Sequence, residues 1–182
     1  ATAYNSYVFR SLDGGKSWNP LYTLAQGYVC VAATDDMQSI IVGGKAGGSR
    51  HLQVSRDGGG SWTEAIPNTS GGYYYGLKVN FDFTTILATS YSNGRIYYSR
   101  NSGKDWEAVA VVNNWCSVSC SDDMLICYAV GTSGPGGMWK STKGPTDAAS
   151  WTQIDHGSLS NFIGVSVSAD AQKIIATLWS DK

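Results

Sequence analysis

The chain of 182 residues is poor in charge: only 15% of it is Asp, Glu, Lys or Arg, and the formal net charge is -1. No basic patch stands out, so a nucleic-acid partner is not expected. No apolar run approaches about 18 residues, so no helix should span a membrane. Glutamate is nearly absent. Glu64 and Glu107 are the two present, and each directly follows or closely follows a tryptophan of a recurring turn, which assigns both to outer strands. His51 and His156 are isolated, without a nucleophile partner. No Cys/His spacing suits a metal, and no cofactor-binding motif is present. A general acid–base pair, a zinc site and a nucleophilic triad therefore all lack the residues they need.

What is abundant is glycine and aromatics, with 22 Gly, 11 Tyr and 7 Trp. Four of the tryptophans recur at steps of 44, 44 and 45 residues: Trp18, Trp62, Trp106 and Trp151. A version of one string precedes each. Ser11-Leu-Asp-Gly-Gly-Lys-Ser-Trp18 and Ser55-Arg-Asp-Gly-Gly-Gly-Ser-Trp62 are close copies. Ser99-Arg-Asn-Ser-Gly-Lys-Asp-Trp106 replaces the Asp with Asn101, and the run from Ser141 to Trp151 carries three extra residues. Val8, Leu52, Ile96 and Met138 precede the strings in a shared phase and should share a buried face. Asp13 and Asp57 can accept from N–H groups a few residues on, and Gly15, Gly59 and Gly103 can supply positive φ. Each string is thus a hairpin turn whose Trp returns to bury its ring.

The pattern Ser-x-Asp-x-Gly-x-Ser/Thr-Trp resembles the Asp-box, or BNR, repeat of sialidases, xyloglucanase-type glycosidases, sortilin-like receptors and photosystem II assembly-factor propellers. The resemblance covers the whole chain at the level of the blade. It implies a β-propeller, and it implies a structural role for Ser11, Asp13, Gly15, Trp18, Ser55, Asp57, Gly59, Trp62, Ser99, Asn101, Gly103, Trp106, Ser141 and Trp151, away from any catalytic site.

A second repeat lies between the turns: an Asp four residues before an aliphatic pair, at Asp36, Asp82, Asp122 and Asp170. Their regular recurrence assigns them to inner turns rather than to catalysis. Small residues precede each, including Cys30, Gly76, Cys116 and Gly164, as crowding near an axis requires. The unit is four strands. Residues 1–182 should form one all-β domain, a β-propeller of four four-stranded antiparallel blades. The N-terminal hairpin and the C-terminal strand pair should complete one shared blade and remove free edges. A piece of a larger propeller, or two chains joined in one ring, are the alternatives. Cys120 and Cys127 should face one another across a hairpin, as a disulfide or as buried thiols. Cys30 and Cys116, at matching inner positions, either pack as small residues or bond across the axis. Asn68-Thr69-Ser70 is a glycosylation sequon.

The candidate binding residues are the aromatics entering each inner strand: Tyr28, Tyr74, Trp115 and Phe162. They should ring the axis, with at least Tyr74 or Trp115 partly exposed, beside loop residues that include Lys45, Arg50, His51, Ser92, Asn93 and Arg95. Aromatic faces flanked by polar groups suit a glycan or a protein; the alternative is a hydrophobic plug. The leading expectation is a non-enzymatic, extracellular binding or scaffold module with a protein or glycan partner and scope for self-association. The alternative is a fragment or degenerate relative of a sialidase-like or xyloglucanase-like glycoside hydrolase.

Overall fold

The structure is a computed structural model and describes residues 7–21, 27–44, 52–65, 72–91, 94–109, 112–132, 137–157 and 159–179. Lys45, Arg50, His51, Ser92, Asn93 and the sequon at 68–70 lie outside these. The described residues form sixteen strands and one 3-10 turn, Ala148–Ser150. Three sheets have four antiparallel strands each. The first is β3(Tyr28–Ala33), β4(Ile40–Gly44), β5(Leu52–Ser55) and β6(Thr63–Glu64). The second is β7(Tyr74–Val79), β8(Ile86–Ser90), β9(Ile96–Ser99) and β10(Glu107–Val109). The third is β11(Trp115–Cys120), β12(Cys127–Gly131), β13(Met138–Ser141) and β14(Thr152–Gln153). Two-stranded sheets flank them, β1(Val8–Arg10) with β2(Asn19–Leu21) and β15(Phe162–Val167) with β16(Ile174–Leu178).

The second strands explain why the sheets stack. Ile40–Gly44, Ile86–Ser90 and Cys127–Gly131 are buried throughout, because each is covered on both faces by a neighbouring sheet. Apolar clusters fill three of the spaces between sheets. Val8 and Leu21 meet Tyr28, Ile40 and Val42. Ile41, Leu52 and Val54 meet Tyr74, Ile86 and Tyr97. Leu87, Ile96 and Tyr98 meet Trp115, Cys127 and Ala129. The inner strands β3, β7, β11 and β15 lie side by side in that order.

The expected shared blade is not formed within the chain. β1–β2 and β15–β16 are separate sheets. The array is therefore three complete blades between two half-blades, rather than a closed ring of four. The half-blades instead pack on their sequence neighbours, β15 on β11 and β12, and Val8 and Leu21 of the first hairpin on Tyr28, Ile40 and Val42. Trp18 reports the consequence. Trp62, Trp106 and Trp151 each pack toward the preceding sheet. Among the described residues no sheet precedes Trp18, which is 53% exposed.

The inner turns require a second correction. Cys127 pairs with Cys120 as Ile40 pairs with Ala33 and Ile86 with Val79. The third turn carboxylate is therefore Asp123, not Asp122. Asp36, Asp82, Asp123 and Asp170 each accept from a backbone N–H two residues on, and Ser or Thr hydroxyls donate to them as well. The next residue is left-handed in all four: Met37, Phe83, Met124 and Ala171 have φ of 56°, 62°, 60° and 56°. With this register Trp115 aligns with Tyr28, Tyr74 and Phe162, and Cys116 is no longer equivalent to Cys30. Cys120 and Cys127 form a disulfide across the β11–β12 hairpin, with Cα atoms 4.0 Å apart, while Cys30 and Cys116 are free thiols.

A candidate binding concavity at the ends of the inner strands

The outer turns share one hydrogen-bond set. In the second, Gly59 N–H donates to Ser55 Oγ at 2.7 Å, Ser61 N–H to Asp57 Oδ1 at 2.9 Å, Ser61 Oγ to Asp57 Oδ2 at 2.6 Å and Trp62 Nε1 to the Gly59 carbonyl at 3.2 Å. The first turn repeats it with Ser11, Asp13, Gly15, Ser17 and Trp18. In the third, Asn101 Oδ1 accepts from Asp105 N–H and Asn101 Nδ2 donates to Asp105 Oδ2. In the longer fourth turn Ser141 Oγ reaches the Gly144 carbonyl and Trp151 Nε1 the Pro145 carbonyl. These donors hold the exposed Asp13 and Asp57 carboxyls down at about 2, the Ser17 and Ser61 hydroxyls contributing most. All of this chemistry is spent on closing turns.

The aromatics expected to present a binding face are all buried. Tyr28 is 1% exposed, Tyr74 1%, Trp115 0% and Phe162 3%. They wedge between sheets rather than line the axis. Tyr28 Oη donates to Gln53 Oε1 at 2.5 Å and Trp115 Nε1 to the Gly94 carbonyl at 3.0 Å. Tyr74 meets Tyr97 edge-on at 6.0 Å, and Phe162 meets His156 at 5.0 Å. No ring face remains for a ligand, and the expectation that Tyr74 or Trp115 would be partly exposed does not hold. Arg95 is exposed, but it does not line the concavity described next.

What redirects these rings is a β-bulge at the start of every inner strand. The register slips between Tyr28 and Cys30, Tyr74 and Gly76, Trp115 and Ser117, and Phe162 and Gly164. A bulge inserts one residue and re-aims side chains. The aromatic goes into the wall between sheets, and the extra residue (Val29, Tyr75, Cys116 or Ile163) takes a different direction. Three of these four, Tyr75, Cys116 and Ile163, line one concavity of about 770 Å³. Tyr91, Thr132 and Trp179, which follow β8, β12 and β16, complete its rim with Asn114 and Asn161. Equivalent backbone bonds seat the rim: Tyr91 N–H to Tyr73 O, Thr132 N–H to Asn114 O and Trp179 N–H to Asn161 O, at 2.8, 3.1 and 2.8 Å.

Trp179 is 65% exposed, Ile163 40% and Tyr75 36%. The Tyr75 and Tyr91 rings stand 5.5 Å apart. None of the lining side chains is a carboxylate or a cation. Burial pushes the Cys116 thiol up, and the thiol donates to the Asn114 carbonyl, so it is a poor nucleophile at neutral pH. Glu64 and Glu107 sit on β6 and β10, at the far edge of their sheets, where Glu107 Oε2 accepts from Tyr98 Oη at 2.8 Å. Among the described residues no cluster of His, Cys, Asp or Glu could hold a metal, and no helix is long and apolar enough to cross a membrane. The surface offers aromatic faces, the Asn114 and Asn161 amides and the Tyr75, Tyr91 and Thr132 hydroxyls. In the sequence its signal is the triplet of large, extra and small residue, as in Tyr74-Tyr75-Gly76 and Phe162-Ile163-Gly164.

No protein-family model and no curated protein matches the chain. Solved structures do. The GH74 enzyme of Niastella koreensis superposes with a TM-score of 0.77 at 19% identity, over 96% of this chain and 30% of the enzyme. YCF48 bound to D1 peptide gives 0.66 at 18% identity, over 93% of this chain and 53% of that one. The fold is that of a β-propeller. A chain of the nidogen/laminin complex gives 0.75 at 12% identity, over 98% and 71%. The propeller array spans 25–33% of the GH74 enzymes it resembles. At these identities the likeness is one of fold alone.

Proposed function

We propose that this propeller array is a non-enzymatic binding or scaffold module, and that it takes a protein or glycan partner in the concavity of Tyr75, Tyr91, Ile163 and Trp179. The observation that supports this most is the composition of that surface: exposed aromatic rings beside Asn114, Asn161 and Thr132, with no ionisable carboxyl in it. Ring stacking with amide hydrogen bonds recognises sugars and uncharged peptide segments alike. Two of the neighbours are in keeping with a protein partner, since YCF48 is seen with a peptide and nidogen with laminin. We read the Ser-x-Asp-x-Gly-x-Ser-Trp turns as Asp-box repeats in a structural role, since their Ser and Asp side chains and the Trp indole N–H bond within the turn itself. The Cys120–Cys127 disulfide supports an oxidising, extracellular setting.

The second reading is a fragment or degenerate relative of a GH74-like glycoside hydrolase, favoured by the fold likeness. Glycoside hydrolysis needs two carboxyls about 5 to 9.5 Å apart across the bond. The carboxylates of the inner turns, such as Asp36 and Asp123, are instead engaged by their own loops.

The test is a glycan array and a peptide display screen on the intact chain, followed by Tyr75→Ala and Trp179→Ala. Each substitution should weaken the hit about fivefold, the value of one lost stacking contact, at an unchanged melting temperature. Binding that survives both substitutions would place the partner elsewhere. Release of reducing sugar from xyloglucan would favour the enzyme.

A further inference from the structure

The concavity is uneven, because the blades contribute side chains of unequal size to it. The inner strands β7, β11 and β15 lie side by side, so the contribution of the third sheet sits between those of its neighbours. On one side stand Tyr75 and Tyr91, and on the other Ile163 and Trp179. Between them, at the matching bulge and strand-end positions, the third sheet supplies only Cys116 and Thr132. Large side chains on both sides of a small pair make a slot. Cys116 is half-buried at its floor, whereas Tyr75, Ile163 and Trp179 are exposed at its walls.

The floor uses up its own donors. The Cys116 thiol donates to the Asn114 carbonyl at 3.6 Å, and the Thr132 side chain is hydrogen-bonded to that thiol. The Thr132 N–H is also taken, by the Asn114 carbonyl at 3.1 Å. A sugar ring set edge-on in the slot would bury hydroxyls with no donor to meet them, which is costly. A cation would find no carboxylate, since none lines the surface. A flat apolar ring meets neither penalty. A free thiol packs as a small hydrophobe, and the aromatic walls offer tilted and edge-on contacts. The Asn114 and Asn161 side-chain amides stand at the rim, on neighbouring strands. Each can both donate and accept, as the peptide groups beside an inserted side chain require.

We propose that the slot over Cys116 and Thr132 takes the ring of a phenylalanine from an uncharged segment of a protein partner, with the Asn114 and Asn161 amides bonded to the backbone beside it. The inference rests on the reading of the concavity as the partner site, and it narrows the partner to a peptide with one ring as its anchor. Cys116 and Thr132 set the specificity: their size admits the ring, and their engaged donors disfavour a hydroxyl-bearing one.

Calorimetric titration of the intact chain tests it, with short uncharged peptides blocked at both ends. One set carries a single Phe, and a second set carries Ser in its place. The Phe peptides should bind, and the Ser peptides should bind about tenfold more weakly or worse, as the loss of one buried aromatic side chain implies. Cys116→Leu and Thr132→Leu each fill the slot, from different strands, and should abolish binding at an unchanged melting temperature. Cys116→Ser keeps the slot open and should preserve binding. Peptide binding that Tyr75→Ala weakens, but that ignores both the loss of Phe and the two Leu variants, would overturn the slot and leave the concavity as the partner site. Binding of a neutral oligosaccharide, abolished by Cys116→Leu, with no Phe peptide bound at about 1 mM, would overturn the peptide assignment alone. If neither peptide nor glycan binds, the inference and the reading beneath it fall together.

Discussion

At the scale of the residue, the outer-turn aspartates show what a carboxylate does when it closes a loop. Asp57 accepts from Ser55 Oγ, Ser61 N–H and Ser61 Oγ, which holds its acidity at about 2. An unfolded Asp titrates near about 4. Between those values the folded state binds fewer protons than the unfolded one, so stability rises with pH there. The contribution is complete above the unfolded value and is lost as the pH falls toward 2. Asn101 already performs the neutral half of this role in the third turn. We therefore expect Asp57→Asn to fold normally at pH 7 and to show a shallower fall in melting temperature between pH 4 and 2 than the wild type. Thermal melts across that range check it; an unchanged acid slope would show that the Asp57 carboxylate is not what the acid limb reports.

At the scale of the element, the turn glycines look interchangeable in sequence but not in space. Gly14 and Gly58, and Gly15 and Gly59, occupy matching places with positive φ. A Cβ on Gly14 would meet nothing within 4 Å. One on Gly59 would lie 2.6 Å from Leu21 Cδ1, because this turn packs against the hairpin of the preceding half-blade. Gly14→Ala should cost about 1 kcal/mol, the strain of a left-handed side chain. Gly59→Ala adds overpacking and should cost about 2–4 kcal/mol in all. Urea titration of both variants measures the gap; equal losses would mean that Leu21 moves aside freely. The bulge is the other lesson at this scale. The recurring aromatic at the start of each inner strand was legible, but not the slip in register that turns it into the wall and presents the next residue instead.

At the scale of the whole molecule, stability comes from the walls between blades. Trp115 is the largest fully buried side chain among the described residues, packed edge-on to Trp139 at 6.5 Å and anchored to the Gly94 carbonyl in the connection between β8 and β9 of the adjoining sheet. Trp115→Ala should cost about 3–5 kcal/mol and lower the melting temperature strongly. Tyr75→Ala, on the open surface, should leave it nearly unchanged. Differential scanning calorimetry of the pair separates wall from site, and comparable losses would contradict the division drawn here.

The sequence by itself determined the unit. Its period of 44 or 45 residues, its alternation and its Ser-x-Asp-x-Gly turns dictate four strands per blade, because turn chemistry and strand alternation are local. It also placed Glu64 and Glu107 on outer strands, by their position after the turn Trp. Only the tertiary structure decided how the units are arranged. Val8 and Phe162 carry no mark in the sequence that says whether their half-blades meet, since closure depends on the summed angle between stacked sheets and on which face each buries first. The concavity was equally hidden. It needs Tyr75, Asn114, Ile163 and Trp179 from three blades to meet, and a one-residue slip at each bulge sets which side chain points there. Taking Asp122 for Asp123 also set Cys116 opposite Cys30 in the repeat, whereas Ser117 holds that place and Cys116 lies on the concavity.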